Sequence, residues 1–327
     1  MNLVRIAMLI LSFCGEVFAV GPISTSAIGS SQYSQSSLYS TPDRVTVHVL
    51  GLFHPNELVV SAEANHPIVA LTARHKIIIG DSLCPHAILS PIGGHVSFRC
   101  GEFRTSAPQI SFSSADGDAP FALTVPGKLR RDYRGKLQIS AGKNELIAVV
   151  EMDIETAVAS IVGAELPGDM PFEAMKAQAV VTRSYLAASG HRHAEAEFCD
   201  TTHCQFLRSP PLPVSPAARA TAATKSLVLT WQGKPFPAMY SASCGGTSRT
   251  LAQAGYRQRD YPYFAVECSF CRRHPERGAS PGHGIGFCQR GAAAMAQDGE
   301  DYRGILAHYF PNTEIRATDS GPHTQPN

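Results

Sequence analysis

Charge imbalance is what this chain of 327 residues lacks most plainly: 28 Lys and Arg stand against 27 Asp and Glu, a net of +1. Without a basic field there is nothing to attract a polyanion, so no nucleic acid is expected as a partner. Long apolar runs are equally scarce. Beyond the first 20 residues none reaches the length that crosses a bilayer, so no membrane span is expected. There is no internal repeat. The length still suffices for a substantial core, in one large domain or two modest ones.

What is present begins with an export signal. Arg5, the apolar run 6–14 and the small-residue site Val17-Phe18-Ala19 predict a signal peptide over residues 1–19. Phe13 is a poor residue to precede a lipidated cysteine, which argues against an anchor at Cys14. The mature protein is then expected to be exported and soluble, in the periplasm or cell-wall space. Residues 20–41 are dominated by Ser, Gly, Gln and Thr and read as a flexible leader, and 317–327 as a disordered polar tail. Removing Cys14 from the nine cysteines leaves Cys84, Cys100, Cys199, Cys204, Cys244, Cys268, Cys271 and Cys288. An even number in an exported chain permits disulfides, and Cys84 with Cys100 suits one because both fall in a single strand-rich region.

Short apolar or alternating runs at 45–50, 58–62, 76–79, 95–99, 109–112, 136–139 and 146–150, parted by Gly, Pro, Asn and Asp, predict a β-rich lobe over about 42–150. Helical signals then dominate. Asp153 as cap and Gly163 as stop bound one helix, with Ile154, Ala157, Val158 and Ile161 on its apolar face. Pro171 opens a second that Gly190 ends, spanning 171–189. A short Ala-rich helix, strands at 227–231 and 238–241, and a helix near 291–298 complete a mixed helical and stranded lobe over about 151–316. The expected class is α+β, with the two lobes forming one domain over 42–316 around a cleft.

Between the first two helices lies Glu165, on a Pro/Gly turn. Leu166, Pro167 and Ala164 would partly desolvate its carboxyl, which favours the neutral form and suits a general acid. The plain alternative is a solvated helix end. The run from Glu165-Leu166-Pro167 through Lys176, Gln178 and Arg183 to Tyr185 resembles the signature of the SpoIID/LytB family, the stage II sporulation protein D relatives. Further blocks match in order: Cys199-Asp200-Thr201-Thr202-His203-Cys204-Gln205, Tyr240-Ser241-Ala242-Ser243-Cys244-Gly245-Gly246-Thr247, Gly282-His283-Gly284-Ile285-Gly286 with Gln289-Arg290-Gly291, and Ile305 to Pro311. The likeness covers about 136–314. Cys288 and Arg290 stand where serine and tyrosine are common in the family, and Met170 where tryptophan is.

The resemblance implies a cell-wall enzyme, a lytic transglycosylase acting on peptidoglycan glycan strands, in studied relatives strands stripped of their stem peptides. It makes Glu165 the catalytic acid and then base, with no second carboxylate standing out. Substrate contacts are expected from Lys176, Gln178, Arg183, Tyr185, Tyr240, Ser241 and His283, several of which are equally compatible with structural roles. His193, Cys199, His203 and Cys204 offer a nitrogen and sulfur set for a structural zinc, or alternatively a Cys199–Cys204 disulfide. No cofactor is required for the chemistry. Cys268-x-x-Cys271 reads rather as disulfide partners for Cys244 or Cys288. A second function is a non-catalytic glycan-binding protein that recruits or stimulates a cell-wall amidase. A cysteine hydrolase using Cys204 or Cys244 is a third, poorer fit, because no base is assignable.

Overall fold

The computed structural model describes residues 42–72, 74–115, 117–257, 262–275 and 282–318. The expected signal peptide and leader lie outside these residues, as does the tail after Thr318.

The class is α+β, with a β-rich part followed by a mixed helical part. One sheet runs Phe198–Cys199, Arg44–Val49, Leu146–Asp153, Lys136–Ala141, Gln109–Ser113, Ile68–Leu71, Lys76–Ile79; a second runs Leu129–Arg134, Pro120–Val125, Leu58–Ala62, His86–Ile92, His95–Cys100, Phe103–Ala107. Neighbours are antiparallel apart from Phe198–Cys199, which lies parallel to Arg44–Val49. Period-two alternation drives this. In Arg44–Val49 every second residue (Val45, Val47, Val49) is buried, and in Leu146–Asp153 so are Leu146, Ala148, Val150 and Met152. The buried faces of both sheets share one core, where Phe98 of the second meets Phe112 of the first at 6.5 Å between ring centres. The seven expected runs are all strands. Those missed include Leu129–Arg134, whose three arginines and one aspartate hide a half-exposed edge strand. Cys84 and Cys100 form the disulfide.

Six helices matter below: α1 Ile154–Glu165, α2 Phe172–Ala188, α3 Pro216–Ala223, α4 Ser269–Arg273, α5 Gln289–Gln297 and α6 Tyr302–Tyr309. Asp153 caps α1 by accepting the N–H groups of Glu155 and Thr156. Gly163 keeps a helical backbone and does not stop α1, which continues to Glu165. Glu165 therefore ends a helix instead of sitting on a turn before one. The apolar strand expected over 238–241 shortens to Tyr240–Ser241, which pairs in parallel with Phe287–Cys288.

α2 begins after Pro171, whose fixed φ suits a helix start. It is buried on every side from Ala177 to Leu186. Met175, Ala179, Tyr185 and Leu186 belong to the core under the sheets, whereas Ala174, Ala177, Val180 and Val181 belong to a second core with Phe236, Phe287, Ile305 and Phe310. Its polar residues are satisfied in place. Ser184 donates to Val180 O at 2.6 Å and accepts from Leu229 N at 2.8 Å. Arg183, 1% exposed, pairs twice with Glu155 at 2.6 and 2.9 Å and donates to Leu227 O at 3.0 Å.

Removing one partner of so buried a pair leaves an uncompensated charge. Glu155→Ala is expected to cost about 3–5 kcal/mol of stability by urea denaturation, and the double replacement Glu155→Leu with Arg183→Met to recover most of it.

Candidate active site

A cleft of about 510 Å³ opens where the end of α1, the segment after Phe198–Cys199, and the Tyr240–Ser241 and Phe287–Cys288 pair converge. Glu165, Tyr185, Arg192, Gln205, Tyr240, Ser241, His283 and Gln289 are among its lining residues. Among the described residues of that lining, Glu165 is the one carboxylate.

Glu165 Oε1 accepts from the Tyr240 hydroxyl at 2.9 Å and from the backbone N–H of Phe206 at 3.3 Å. Burial pushes its carboxyl above the usual value, and the hydrogen bonds from Tyr240 and Phe206 oppose that rise without cancelling it. The negative end of α1 acts in the same sense as burial. Of the neighbours expected to shield the acid, Leu166 is buried and Ala164 half-buried, whereas Pro167 is exposed. The Tyr240 hydroxyl also stands 2.8 Å from Gln205 Oε1. It carries one proton, so it serves one acceptor at a time and holds a donor ready for the carboxylate whenever Glu165 ionises. Burial first, then the charge of Glu165, holds the Tyr240 phenol well above the ordinary range, so it stays protonated.

The other walls follow from local backbone constraints. Gly286 has φ +69°, and a Cβ there would lie 2.4 Å from Met239 O, so only glycine lets this turn close against the Tyr240 strand. His283 Nδ1 accepts the Ile285 N–H at 3.0 Å. Burial, then Arg249, lowers its pKa, so the neutral ring carries its proton on Nε2. The Tyr185 hydroxyl accepts from Arg192 at 2.6 Å. Ser241 lines the cleft with its hydroxyl turned to Ser243 O at 3.3 Å.

Tyr185, Tyr240, Ser241 and His283 are thus brought together with Glu165. Gln178 stands one layer behind, accepting from Gln289 at 3.3 Å. Lys176 and Arg183 are elsewhere: Lys176 pairs with Glu173 at 2.7 Å and lies 4.5 Å over the Tyr302 ring, and Arg183 is sealed against Glu155. Both serve to hold α2. Gln205, Gln289, Arg192 and the Phe206 N–H were not singled out from the sequence. Gln205 and Gln289 do lie within the blocks that carry the family likeness, which is the signal that marks them.

His193, Cys199, His203 and Cys204 converge beside the cleft, their donor atoms all within 4.8 Å of one another. His193 Nε2 is 3.1 Å from Cys204 Sγ, and His203 Nδ1 is 3.8 Å from Cys199 Sγ and 3.5 Å from Cys204 Sγ. The edges of a tetrahedral zinc site with Zn–S near 2.3 Å and Zn–N near 2.0 Å measure about 3.3–3.8 Å, so the set fits. Both thiols are free of disulfides. Burial pushes the Cys204 thiol up to about 11, the opposite of an activated cysteine nucleophile. Cys244, Cys268, Cys271 and Cys288, expected as disulfide partners, are also free. Their four sulfurs gather in one place.

A larger cavity, about 810 Å³, lies between α1, α3 and the Leu129–Arg134 strand. Of the charged residues lining it, Arg130 pairs with Asp132, Arg134 with Asp118 and Glu155 with Arg183, while Asp153 caps α1 and Glu63 is exposed.

Residues 142–231 match the family model of the stage II sporulation protein SpoIID. That stretch contains Glu165, α2 and the histidine and cysteine set; Tyr240, His283 and the four-cysteine cluster lie beyond it. The chain is similar to an uncharacterised protein of Brachyspira hyodysenteriae (strain ATCC 49526 / WA1), 23% identical over 265 aligned residues that cover 56% of this chain and 72% of that one.

The raised pKa of Glu165 has a stability consequence. Its contribution is fully present below the unfolded value and is lost as pH rises through the folded one, so at neutral pH the ionised group weakens the fold. Glu165→Gln is therefore expected to melt no lower than the parent at pH 7, and lower relative to it at pH 4, in parallel thermal scans.

Proposed function

We propose that this chain, whose SpoIID domain over residues 142–231 gives it a role at the cell wall, is a lytic transglycosylase that cuts peptidoglycan glycan strands between N-acetylmuramic acid and N-acetylglucosamine. The observation that carries this reading is the lone desolvated carboxylate of the cleft. Hydrolases of glycosidic bonds ordinarily use two opposed carboxylates, one to activate water or to attack. Here the second is missing among the described lining residues, and an internal sugar hydroxyl removes the need for it.

Oε1 of Glu165 is occupied by Tyr240 and the Phe206 N–H, so the proton of the neutral acid belongs on Oε2. From there it passes to the oxygen that leaves with N-acetylglucosamine as the bond from C1 of the muramic sugar breaks. The carboxylate left behind is held by Tyr240 and Phe206. It then takes the proton of the muramic sugar's own primary hydroxyl as that oxygen bonds to C1. The acid returns to its starting state, no water is consumed, and the new end is an anhydromuramic ring. Tyr185, Arg192 and Gln289 supply polar contacts for sugar hydroxyl and amide groups, beside the wall formed by His283, whose ring bonds the backbone of Tyr240 and Ile285. Peptide-free strands are the expected substrate, and export to the periplasm or cell-wall space follows from it. No described helix is long and apolar enough to cross a membrane.

His193, Cys199, His203 and Cys204 would hold a structural zinc with no open position, and the ion would supply a crosslink, not chemistry. That crosslink anchors the chain just before Gln205 and Phe206, which meet Tyr240 and Glu165.

Incubation with peptide-free glycan strands is expected to release anhydromuramic products, and Glu165→Gln to lower the rate on the order of a thousandfold. Unchanged release in that variant would sink the assignment. Inactivity of the parent, with stimulation of a cell-wall amidase kept in Glu165→Gln, would instead favour a non-catalytic glycan-binding protein. Tyr240→Phe removes a bond that lowers the Glu165 pKa, so the alkaline limb of the kcat/KM profile is expected to move to higher pH.

A further inference from the structure

The second core of the protein is built with little regular structure. Tyr240–Ser241 and Phe287–Cys288 are two residues each, and α4 has five. Into it four cysteines arrive from separate pieces of chain: Cys244 from the turn after Tyr240–Ser241, Cys268 and Cys271 from the start of α4, and Cys288 from the N-cap of α5. Three of the four are 2% exposed or less, and Cys244 is half-buried. We propose that Cys244, Cys268, Cys271 and Cys288 hold a zinc ion as four thiolates, a second metal site independent of the histidine and cysteine set.

The spacing of the donors carries the inference. All four sulfurs lie within 4.8 Å of one another, and Cys271 and Cys288 are 3.6 Å apart. A tetrahedral ion with Zn–S of about 2.3 Å sets its ligand sulfurs about 3.8 Å apart, whereas a disulfide needs about 2.05 Å. A multinuclear cluster would spread the sulfurs wider than one 4.8 Å group allows. The sequence pattern is a C-x-x-C pair flanked by single cysteines, a common arrangement for structural zinc.

The surroundings supply what zinc-bound sulfur needs next. Cys288 Sγ accepts the Gly291 N–H at 3.4 Å, Cys268 Sγ accepts the Tyr309 hydroxyl at 3.5 Å, and Ser243 Oγ is 3.4 Å from Cys271 Sγ. Such bonds disperse thiolate charge and orient the ligands. Gly291 is required there: a Cβ on it would lie 2.5 Å from Cys268 Sγ and also overlap the Tyr309 hydroxyl. Zinc suits the place because it has no redox chemistry and closes a site with four ligands. Bound, it would clamp both strands of the Tyr240–Phe287 pair and the start of α5. It would thereby fix Tyr240 and Gln289, two walls of the cleft, where backbone pairing alone is short.

This inference stands apart from the glycan reading, and its test reads metal instead of activity. The full chain is purified from zinc-supplemented cells, its metals are measured by mass spectrometry, and its free thiols are alkylated under denaturing conditions without reductant after chelation. A variant lacking the other set, His193→Ala with Cys204→Ala, is expected to retain one zinc per chain and four alkylatable thiols at Cys244, Cys268, Cys271 and Cys288. Cys271→Ala is expected to lose one zinc relative to the parent, and Cys271→His to keep it. If Cys271→Ala fails to fold, the first variant decides alone. No zinc in that variant, iron in its place, or recovery of the four cysteines as disulfides would each overturn the site.

Discussion

The buried pair of Arg183 and Glu155 is the contact on which the arrangement of the rest depends. Arg183 lies in the middle of α2, the helix that both cores share, and Glu155 in the first turn of α1. Glu155 Oε1 also accepts the Ser226 N–H at 3.1 Å, while Arg183 reaches Leu227 O and Thr221 O. One ion pair thus fixes α1, α2, the end of α3 and the start of the Leu227–Trp231 strand against each other. Taking two charges out of water is costly, and the cost is tolerable only where each remaining donor and acceptor is met. That requirement makes the junction specific. With its first turn held this way, the far end of α1 carries Glu165 to a set place.

At that end the problem is reversed. Glu155 is paired with a cation and loses its freedom to act; Glu165 accepts from a phenol and a backbone amide, with Arg208 and Gln289 contributing less. Burial raises its pKa, and the donors and the Arg208 charge oppose that rise without cancelling it. Two glutamates ten residues apart on one helix therefore differ, one locked in an ion pair and one desolvated in the cleft, through what each is allowed to touch.

Sulfur supports both sides of the cleft. The histidine and cysteine set lies next to Gln205 and Phe206, and the four-cysteine cluster lies behind Tyr240 and Gln289. These are the two segments with the least secondary structure to anchor them. The β-rich part, stabilised by long antiparallel ladders and the Cys84–Cys100 disulfide, has no such cluster among the described residues.

The α+β class, the strands of alternating pattern and the two helices flanking Glu165 were legible in the sequence, because period-two burial, the Asp153 cap and Pro171 are local signals. The candidacy of Glu165 rested on blocks of residues in a family order. Other features depended on how distant segments meet. Nothing local told Arg183 from a surface cation, since its partner lies 28 residues away on another helix. Phe206 and Tyr240 reach Glu165 from 41 and 75 residues further on, and Gln205 meets it only through Tyr240. Cysteine spacing alone did not distinguish disulfide partners from a four-sulfur cluster, because that choice is made by side-chain distances across chain pieces. Local chemistry writes itself into short stretches of chain; desolvation, pairing and ligand geometry exist only once the chain has closed on itself.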